Sequence, residues 1–192
     1  MRKEEAKKII EALLFVHEHP LTVDNIVKIM GNEVGKKVIK DAVTELLEEY
    51  QGMGRSFHLM EVDGGYQFRT KTPYARWIKN LRKVKPARLS QSALETLAIV
   101  VYRQPIVRAE VEHIRGVDSG WVLNSLLEKG LIKILGRKEV AGRPLVYGSS
   151  RRFLEVFGLR DLSALPTLQE LDALREKAEL MPPAEEPAQA DE

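Results

Sequence analysis

At 192 residues, with 44% hydrophobic and 30% charged residues, the chain has the composition of one large or two small soluble globular domains. It contains no cysteine, which excludes disulfides, thiolate metal sites and cysteine nucleophiles and fits a reducing compartment. A formal net charge of +2 conceals a polarised distribution: Pro182 to Glu192 carries Glu185, Glu186, Asp191 and Glu192 and no base, so the remainder is distinctly basic.

Lys3 to His19 reads as a helix with Ile9, Ile10, Leu13, Leu14 and Val16 facing inward, ended by Pro20. Thr22 is placed to cap a second helix that runs through Met30 and closes at Gly31. A third helix from about Val34 to Tyr50 carries the stripe Ile39, Val43, Leu46, Leu47 and Tyr50. Phe57 to Glu61 and Tyr66 to Arg69 read as strands around Asp63-Gly64-Gly65, a hairpin turn signal. Pro73 to Lys83 is an amphipathic helix with Tyr74, Trp77, Ile78 and Leu81 on one side and Arg76, Lys79, Arg82 and Lys83 on the other.

The same order then repeats. Pro20-Leu21-Thr22 leads to Ile26, Ile29 and Gly31, and Pro105-Ile106-Val107 leads to Val111, Ile114 and Gly116 at the same proline-to-glycine spacing. Ser90 caps a helix through Arg103, and Arg108 to Arg115 forms the next. Asp118 or Ser119 caps a third with Val122, Leu123, Leu126 and Leu127 inward. Leu131 to Leu135 and Leu145 to Tyr147 are strands around a wing at Gly136 to Pro144. Arg151 to Phe157 is a short helix that Ser149 or Ser150 caps, and Thr167 with Glu170 forms a capping box opening a last helix with Leu168, Leu171 and Leu174. The tail from Pro182 is expected to be disordered.

Three helices followed by a β-hairpin is the winged-helix order, and the single apolar residues Leu21 and Ile106 suit the short extra strand of such folds. The expected fold is mainly α with small β-hairpins, an α+β class of tandem winged-helix domains. The boundaries are 1–84 for the first copy with its basic linker helix, 85–165 for the second, and 166–192 for the terminal helix and acidic tail. The start, Met1-Arg2-Lys3-Glu4-Glu5, has no apolar signal region behind it, and Leu97 to Tyr102 is too short to span a bilayer. A cytoplasmic protein without membrane contact is expected.

Helix-turn-helix folds raise the question of DNA reading. A reading helix needs Arg, Lys, Asn or Gln in its first turns to meet base edges. The second copy offers Asp118, Ser119, Gly120, Trp121 and Asn124, a poor reader, and an exposed Trp121 and Val122 suit a protein partner better. The first copy offers Lys36, Lys37 and Lys40, which reach phosphates but carry little base information. No acid occurs from Gly64 to Leu94. That segment could track phosphates through Arg76, Lys79, Arg82 and Lys83 or meet an acidic protein, and the sequence does not decide between them. Any DNA binding through it is weak and sequence-independent. Gly31 to Lys37 has the wrong spacing for a phosphate loop and follows a helix. His17 and His19 point in different directions on a helix end, so a metal pair is disfavoured. No cofactor or catalytic constellation is evident.

The run Leu89-Ser90-Gln91-Ser92-Ala93-Leu94-Glu95-Thr96-Leu97-Ala98-Ile99-Val100-Val101-Tyr102-Arg103-Gln104-Pro105-Ile106 closely resembles the segregation and condensation protein B family. The likeness continues through Arg108 to Val111, Ile114 to Val117, Leu126 to Ile132, Gly136 to Glu139, Gly142-Arg143-Pro144, Tyr147-Gly148, Phe153-Leu154, Phe157-Gly158-Leu159 and Leu165-Pro166. The first copy matches more loosely, in Ile10 to Phe15 and Gly65 to Thr70. The family usually has threonine where this chain has Val107, so a side-chain cap worth about 1 kcal/mol is absent.

The resemblance implies a non-enzymatic, nucleoid-associated subunit. It would homodimerise, bind the central segment of the kleisin ScpA, and act through the kleisin on an SMC ATPase in chromosome condensation and segregation. Surplus apolar residues Phe15, Val27, Ile29 and Met30 make the first copy the expected dimer face. Trp121 and Val122 with the wing residues Arg137, Lys138, Glu139, Arg143 and Tyr147 make the second copy the expected kleisin face. A winged-helix transcription regulator is the alternative.

Overall fold

The computed structural model describes residues 2–31, 33–82, 89–167, 169–171 and 173. Residues 1–161 form one unit, and the short segment from 162 forms a second. The first copy is built from α1 (Lys3–Val16), α2 (Val23–Ile29), α3 (Lys36–Gly52), β1 (Phe57–Val62) and β2 (Gly65–Thr70). A 3-10 turn (Thr72–Tyr74) leads into α4 (Ala75–Arg82). The second copy is built from α5 (Gln91–Arg103), β3 (Ile106–Val107), α6 (Arg108–Arg115), α7 (Gly120–Glu128), β4 (Ile132–Arg137) and β5 (Leu145–Ser149), followed by α8 (Arg151–Phe157). Each copy is a winged helix within an α+β architecture.

The first core forms where three helical stripes meet the hairpin. Ala6, Ile10 and Leu14 recur at four-residue spacing on α1 and meet Ile26 of α2, Ile39, Ala42, Val43 and Leu46 of α3, and Leu59 of β1. That stripe is narrower than the sequence suggests. Ile9 and Val16, expected inside, are exposed, because a stripe at every fourth residue leaves both on the flanks of the helix. Thr22 caps α2 by accepting the Asn25 amide at 3.2 Å.

β1 and β2 pair antiparallel from Phe57↔Thr70 to Val62↔Gly65, across a turn in which Asp63 and Gly64 both have positive φ. Tyr50, Phe57 and Phe68 pack their rings 4.7–5.8 Å apart and fix the hairpin to α3. Leu21 adds the short extra strand by exchanging both backbone hydrogen bonds with Tyr66, at 3.0 and 2.9 Å. Gly65 is what lets the two backbones approach, since a Cβ there would lie 2.8 Å from the Leu21 carbonyl carbon.

The second copy repeats the plan with a full third strand. Its sheet runs β3-β5-β4, Ile106 pairs with Tyr147, and a bulge separates Ile134 from Gly136. Ala93, Leu97, Val100 and Val101 of α5, Val111 of α6, Val122, Leu123 and Leu126 of α7, and Ile132, Tyr147 and Phe153 form the core. Ser90 and Ser150 cap α5 and α8 through the Ala93 and Phe153 amides, at 3.3 and 3.1 Å.

In the second unit a 3-10 turn (Leu162–Ala164) precedes the expected capping box. The Thr167 amide donates to Glu170 at 2.7 Å, and the Glu170 amide donates back to the Thr167 hydroxyl at 3.3 Å. Leu168, Leu174 and the acidic tail lie outside the described residues.

Candidate protein-interaction surfaces

The start of α7 decides whether the second copy can read DNA. Its first free amides, those of Ser119 and Gly120, are taken by carboxylates: Glu112 Oε1 at 3.1 Å and Asp118 Oδ1 at 3.2 Å. Neither Asp118 nor Ser119 acts as the simple side-chain cap that the sequence suggests; the work is shared with Glu112, one turn back on α6. Arg108 ties the two acids together, with Nε 2.6 Å from Glu112 and Nη2 on Asp118. Gly120 leaves the room for it, since a Cβ at that position would lie 2.5 Å from Arg108 Nη1.

The Ser119 amide and then Arg108 hold the Glu112 carboxyl below its ordinary range. A helix N-terminus that would attract phosphate is thus already neutralised by two acids. Past it, only Asn124 offers a base-reading group in the first two turns.

What that corner does expose is apolar. Trp121 is 78% exposed, and Ile114 and Val117, on α6 and the turn after it, are half exposed. Val122 corrects the expectation that it accompanies Trp121 outward: it is buried at 8%, because it falls on the inward stripe with Leu123 and Leu126. The sequence reading missed Ile114 and Val117. Ile114 stands three residues after Val111, a same-face spacing that pointed it inward, and only Val117, past the end of α6, lay off that stripe.

The wing residues split in the same way. Tyr147 is buried, paired with Ile106 in the middle of the sheet, and serves the core. Arg137, Lys138, Glu139 and Arg143 are exposed. They are bound mostly to one another: Arg137 Nη1 donates to the Arg143 carbonyl at 3.0 Å, and Arg143 Nη2 to Glu139 at 3.1 Å. Lys138 Nζ donates to Glu110 at 2.9 Å. Glu110 in turn accepts the Val107 amide at 3.0 Å, the half of a capping box that survives with valine at the cap. The wing is a pre-ordered polar rim with few loose charges.

On the first copy, Phe15 is 72% and Val16 80% exposed, and Ile29 is half exposed. Leu13, Val16, His17, His19, Leu21 and Ile29 line a shallow depression beside them. Val27 is half-buried against the core. Met30 corrects the expectation of a surface residue, because it closes the core beneath α2. His17 Nδ1 sits 2.7 Å from the His19 carbonyl oxygen and closes the turn after α1.

The basic residues are dispersed. Lys36 pairs with Asp24, while Lys37 and Lys40 stand exposed on the first turns of α3. On α4, Arg76 and Lys79 are exposed, and among the described residues neither has an ion pair; the Arg82 side chain and Lys83 lie outside the described residues.

One feature without a sequence signature joins the two copies. The Asp63 and Gly64 amides, at the tip of the first hairpin, donate to the carbonyls of Leu159 and Arg160 just beyond α8, at 3.1 and 3.0 Å. Arg69 adds a bond to the Glu155 carbonyl, and His19 Nδ1 lies 3.3 Å from the Glu155 carboxylate. Backbone amides make the bonds at the wing tip, and those no residue type announces. It also occupies the wing tip that a DNA-reading winged helix would turn toward the duplex.

Among the described residues there is no group of acids and histidines able to hold a metal ion and no helix long and apolar enough to cross a membrane. A family model described as the segregation and condensation complex subunit ScpB matches residues 8–168. Segregation and condensation protein B of Syntrophotalea carbinolica is 47% identical over 175 residues, covering 91% of this chain and 88% of that protein. A crystal structure of ScpB from Mycobacterium tuberculosis is 31% identical, covers 83% of this chain and 98% of that one, and superposes with a TM-score of 0.39. A crystal structure of a dimer of the ScpB N-terminal domain complexed with ScpA peptide is 30% identical, covers 41% of this chain and 95% of that one, with a TM-score of 0.36.

Proposed function

This chain belongs to the segregation and condensation complex subunit ScpB family, which makes it a subunit of the SMC–kleisin complex, and we propose that it homodimerises through its first copy and holds the central segment of the kleisin ScpA on its second. In this reading it has no catalytic role. It reaches the SMC ATPase only through the kleisin, and it is cytoplasmic and nucleoid-associated. Its two winged helices, 1–84 and 85–165, divide the two binding tasks.

The observation that carries the reading is Trp121, an almost fully exposed indole beside a helix start already closed by Glu112 and Asp118. Acids at that place repel a phosphate backbone, whereas an exposed tryptophan anchors protein interfaces because one rigid ring removes much apolar area from water. Ile114 and Val117 extend the apolar strip, and Arg137, Lys138, Glu139 and Arg143 supply the polar rim. The dimer face rests on Phe15, Val16 and Ile29. Removing a large apolar side chain from water contributes roughly 1.5–3 kcal/mol, and a two-fold interface counts each residue twice.

The test is calorimetric titration of the full chain with the kleisin's central segment. Trp121→Ala combined with Arg143→Ala should weaken binding at least about ten-fold, the scale of a lost anchor. A folded double variant with unchanged affinity would remove the surface from the second copy. Sedimentation of Phe15→Glu with Val16→Glu should give a monomer where the wild type is a dimer.

A further inference from the structure

Among the described residues, α4 is an element without a home. Its main packing partner is the 3-10 turn that leads into it. Tyr74, Trp77, Ile78 and Leu81 fall at i, i+3, i+4 and i+7, the spacing of a stripe made to be covered. Ile78 is half-buried, but Trp77 is 64% and Leu81 83% exposed. Beside the stripe the Arg76 guanidinium stacks over the Trp77 ring, 5.4 Å from its centroid, and Lys79 is exposed. The sequence around the helix has no acid from Gly64 to Leu94, so no carboxylate near in sequence answers these charges.

We propose that α4 is a docking helix for an acidic amphipathic helix of a partner protein, a surface separate from those on α1 and α7. The partner's apolar stripe would cover Trp77 and Leu81, and carboxylates flanking that stripe would meet Arg76 and Lys79. Each feature of α4 then has a use. A phosphate backbone would use the charges but leave the indole and the leucine in water. A second copy of α4 would use the apolar stripe but bring Arg76 and Lys79 against their own counterparts with no acid between them. An anionic bilayer would find only two turns of helix, against the longer segments that lie stably in an interface. Trp77 is the expected anchor, since Arg76 already holds its ring in one orientation and little side-chain freedom is lost on binding.

The experiment titrates the full chain into a fluorescein-labelled designed peptide, with leucines at i, i+3, i+4 and i+7 of each two turns and glutamates beside them. A peptide of the same composition in permuted order and a random-sequence DNA duplex are run in parallel. The ordered peptide should gain helicity and bind at least about ten-fold tighter than the permuted one, because only it presents a stripe. Trp77→Ala with Leu81→Ala should lose that advantage, and Lys79→Glu should weaken binding several-fold. Trp121→Ala should leave it intact, which separates α4 from the kleisin surface on α7. The altered side chains are exposed, and an unchanged circular dichroism spectrum verifies the fold. Equal binding of both peptides, no binding of either, or affinity untouched by Trp77→Ala with Leu81→Ala overturns the proposal. Binding of the duplex without the ordered peptide overturns it in favour of nucleic acid.

Discussion

In α3 the residues Ala42, Val43 and Leu46 are buried, and in α7 the residues Val122, Leu123 and Leu126 are buried at the same spacing. The two copies thus solve one packing problem with one helix pattern, and they diverge where those helices begin. α3 starts at Gly35 without a side-chain cap and with Lys36, Lys37 and Lys40 on its first turns. α7 starts under Glu112, Asp118 and Arg108. A shared core beside opposite charge at the helix start teaches that the fold is held by apolar volume, while partner choice is written at the periphery. The wings diverge too. The tip of the first is bonded to the backbone after α8, whereas the second bonds Arg137, Glu139 and Arg143 among themselves and Lys138 to Glu110 of its own copy.

The sharpest way to break this comparison is at the glycines beside the extra strands. A Cβ on Gly65 meets the Leu21 backbone carbonyl carbon at 2.8 Å, whereas a Cβ on Gly148 meets side-chain atoms, Gln104 Oε1 and Leu135 Cδ1, also at 2.8 Å. Backbone in a paired strand cannot yield without losing its bonds to Tyr66, whereas the half-exposed Leu135 end can turn and Gln104 Oε1 can shift by loosening its bonds from the Ser149 amide and hydroxyl. Gly65→Ala should therefore cost about 3 kcal/mol or more, in the range of strained or overpacked core sites, and Gly148→Ala roughly 1 kcal/mol. Urea unfolding monitored through amide exchange at Leu21 and at Ile106 separates the copies. Equal losses would mean that the two extra strands are seated alike.

Much of this was legible in the sequence, for reasons that also explain what was not. Helix periods, the caps Thr22, Ser90 and Ser150, the Asp63-Gly64 turn and the capping box at Thr167 are local signals, and each appears where it was read. Met30 and Val122 were misplaced because both sit where a helix begins or ends, and there one residue of rotation decides between core and solvent. Tyr147 was read as a wing residue, although the strand register turns it inward. The cap on α7 by Glu112 and the bond from Asp63 to Leu159 join distant residues through backbone amides, which leave no mark on composition or spacing.

A second comparison is in pH, with opposite signs for one hydrogen bond chosen from each copy. In the first, the Tyr50 hydroxyl donates to the Glu11 carboxylate, and this bond, with burial, pushes its pKa up from 10.0 to about 12. The folded state holds that proton more tightly than the unfolded chain does. The stabilisation is therefore complete below about 10 and lost as pH rises toward about 12. In the second copy, the Ser119 amide and Arg108 depress Glu112 below its ordinary 4.5, so that contribution is complete above about 4.5 and lost as pH falls through the lowered value. The stability gap between wild type and Tyr50→Phe should close on the alkaline side only, and that between wild type and Glu112→Gln on the acid side only. Exchange of the Ser119 amide should quicken in acid along with the second. A gap of constant size across pH would mean that the bond in question does not persist in solution.

The smallest difference is at the second helix of each copy. Thr22 caps α2 through the Asn25 amide at 3.2 Å, while Val107, at the same place before α6, has no oxygen to offer. α6 keeps only the return bond, from the Val107 amide to Glu110. Exchanging the residues tests whether the caps are equivalent. Thr22→Val should cost about 1 kcal/mol, the usual worth of such a cap. Val107→Thr should recover less, a few tenths to about 1 kcal/mol, because Val107 is 6% exposed and the new hydroxyl must leave water to reach the Glu110 amide. Neither change touches Trp121, Phe15 or Trp77, so the proposed kleisin binding and self-association should stay constant while stability moves. If Val107→Thr proves destabilising, the methyl that valine supplies to the core outweighs the missing cap, and the second copy has traded a helix start for packing.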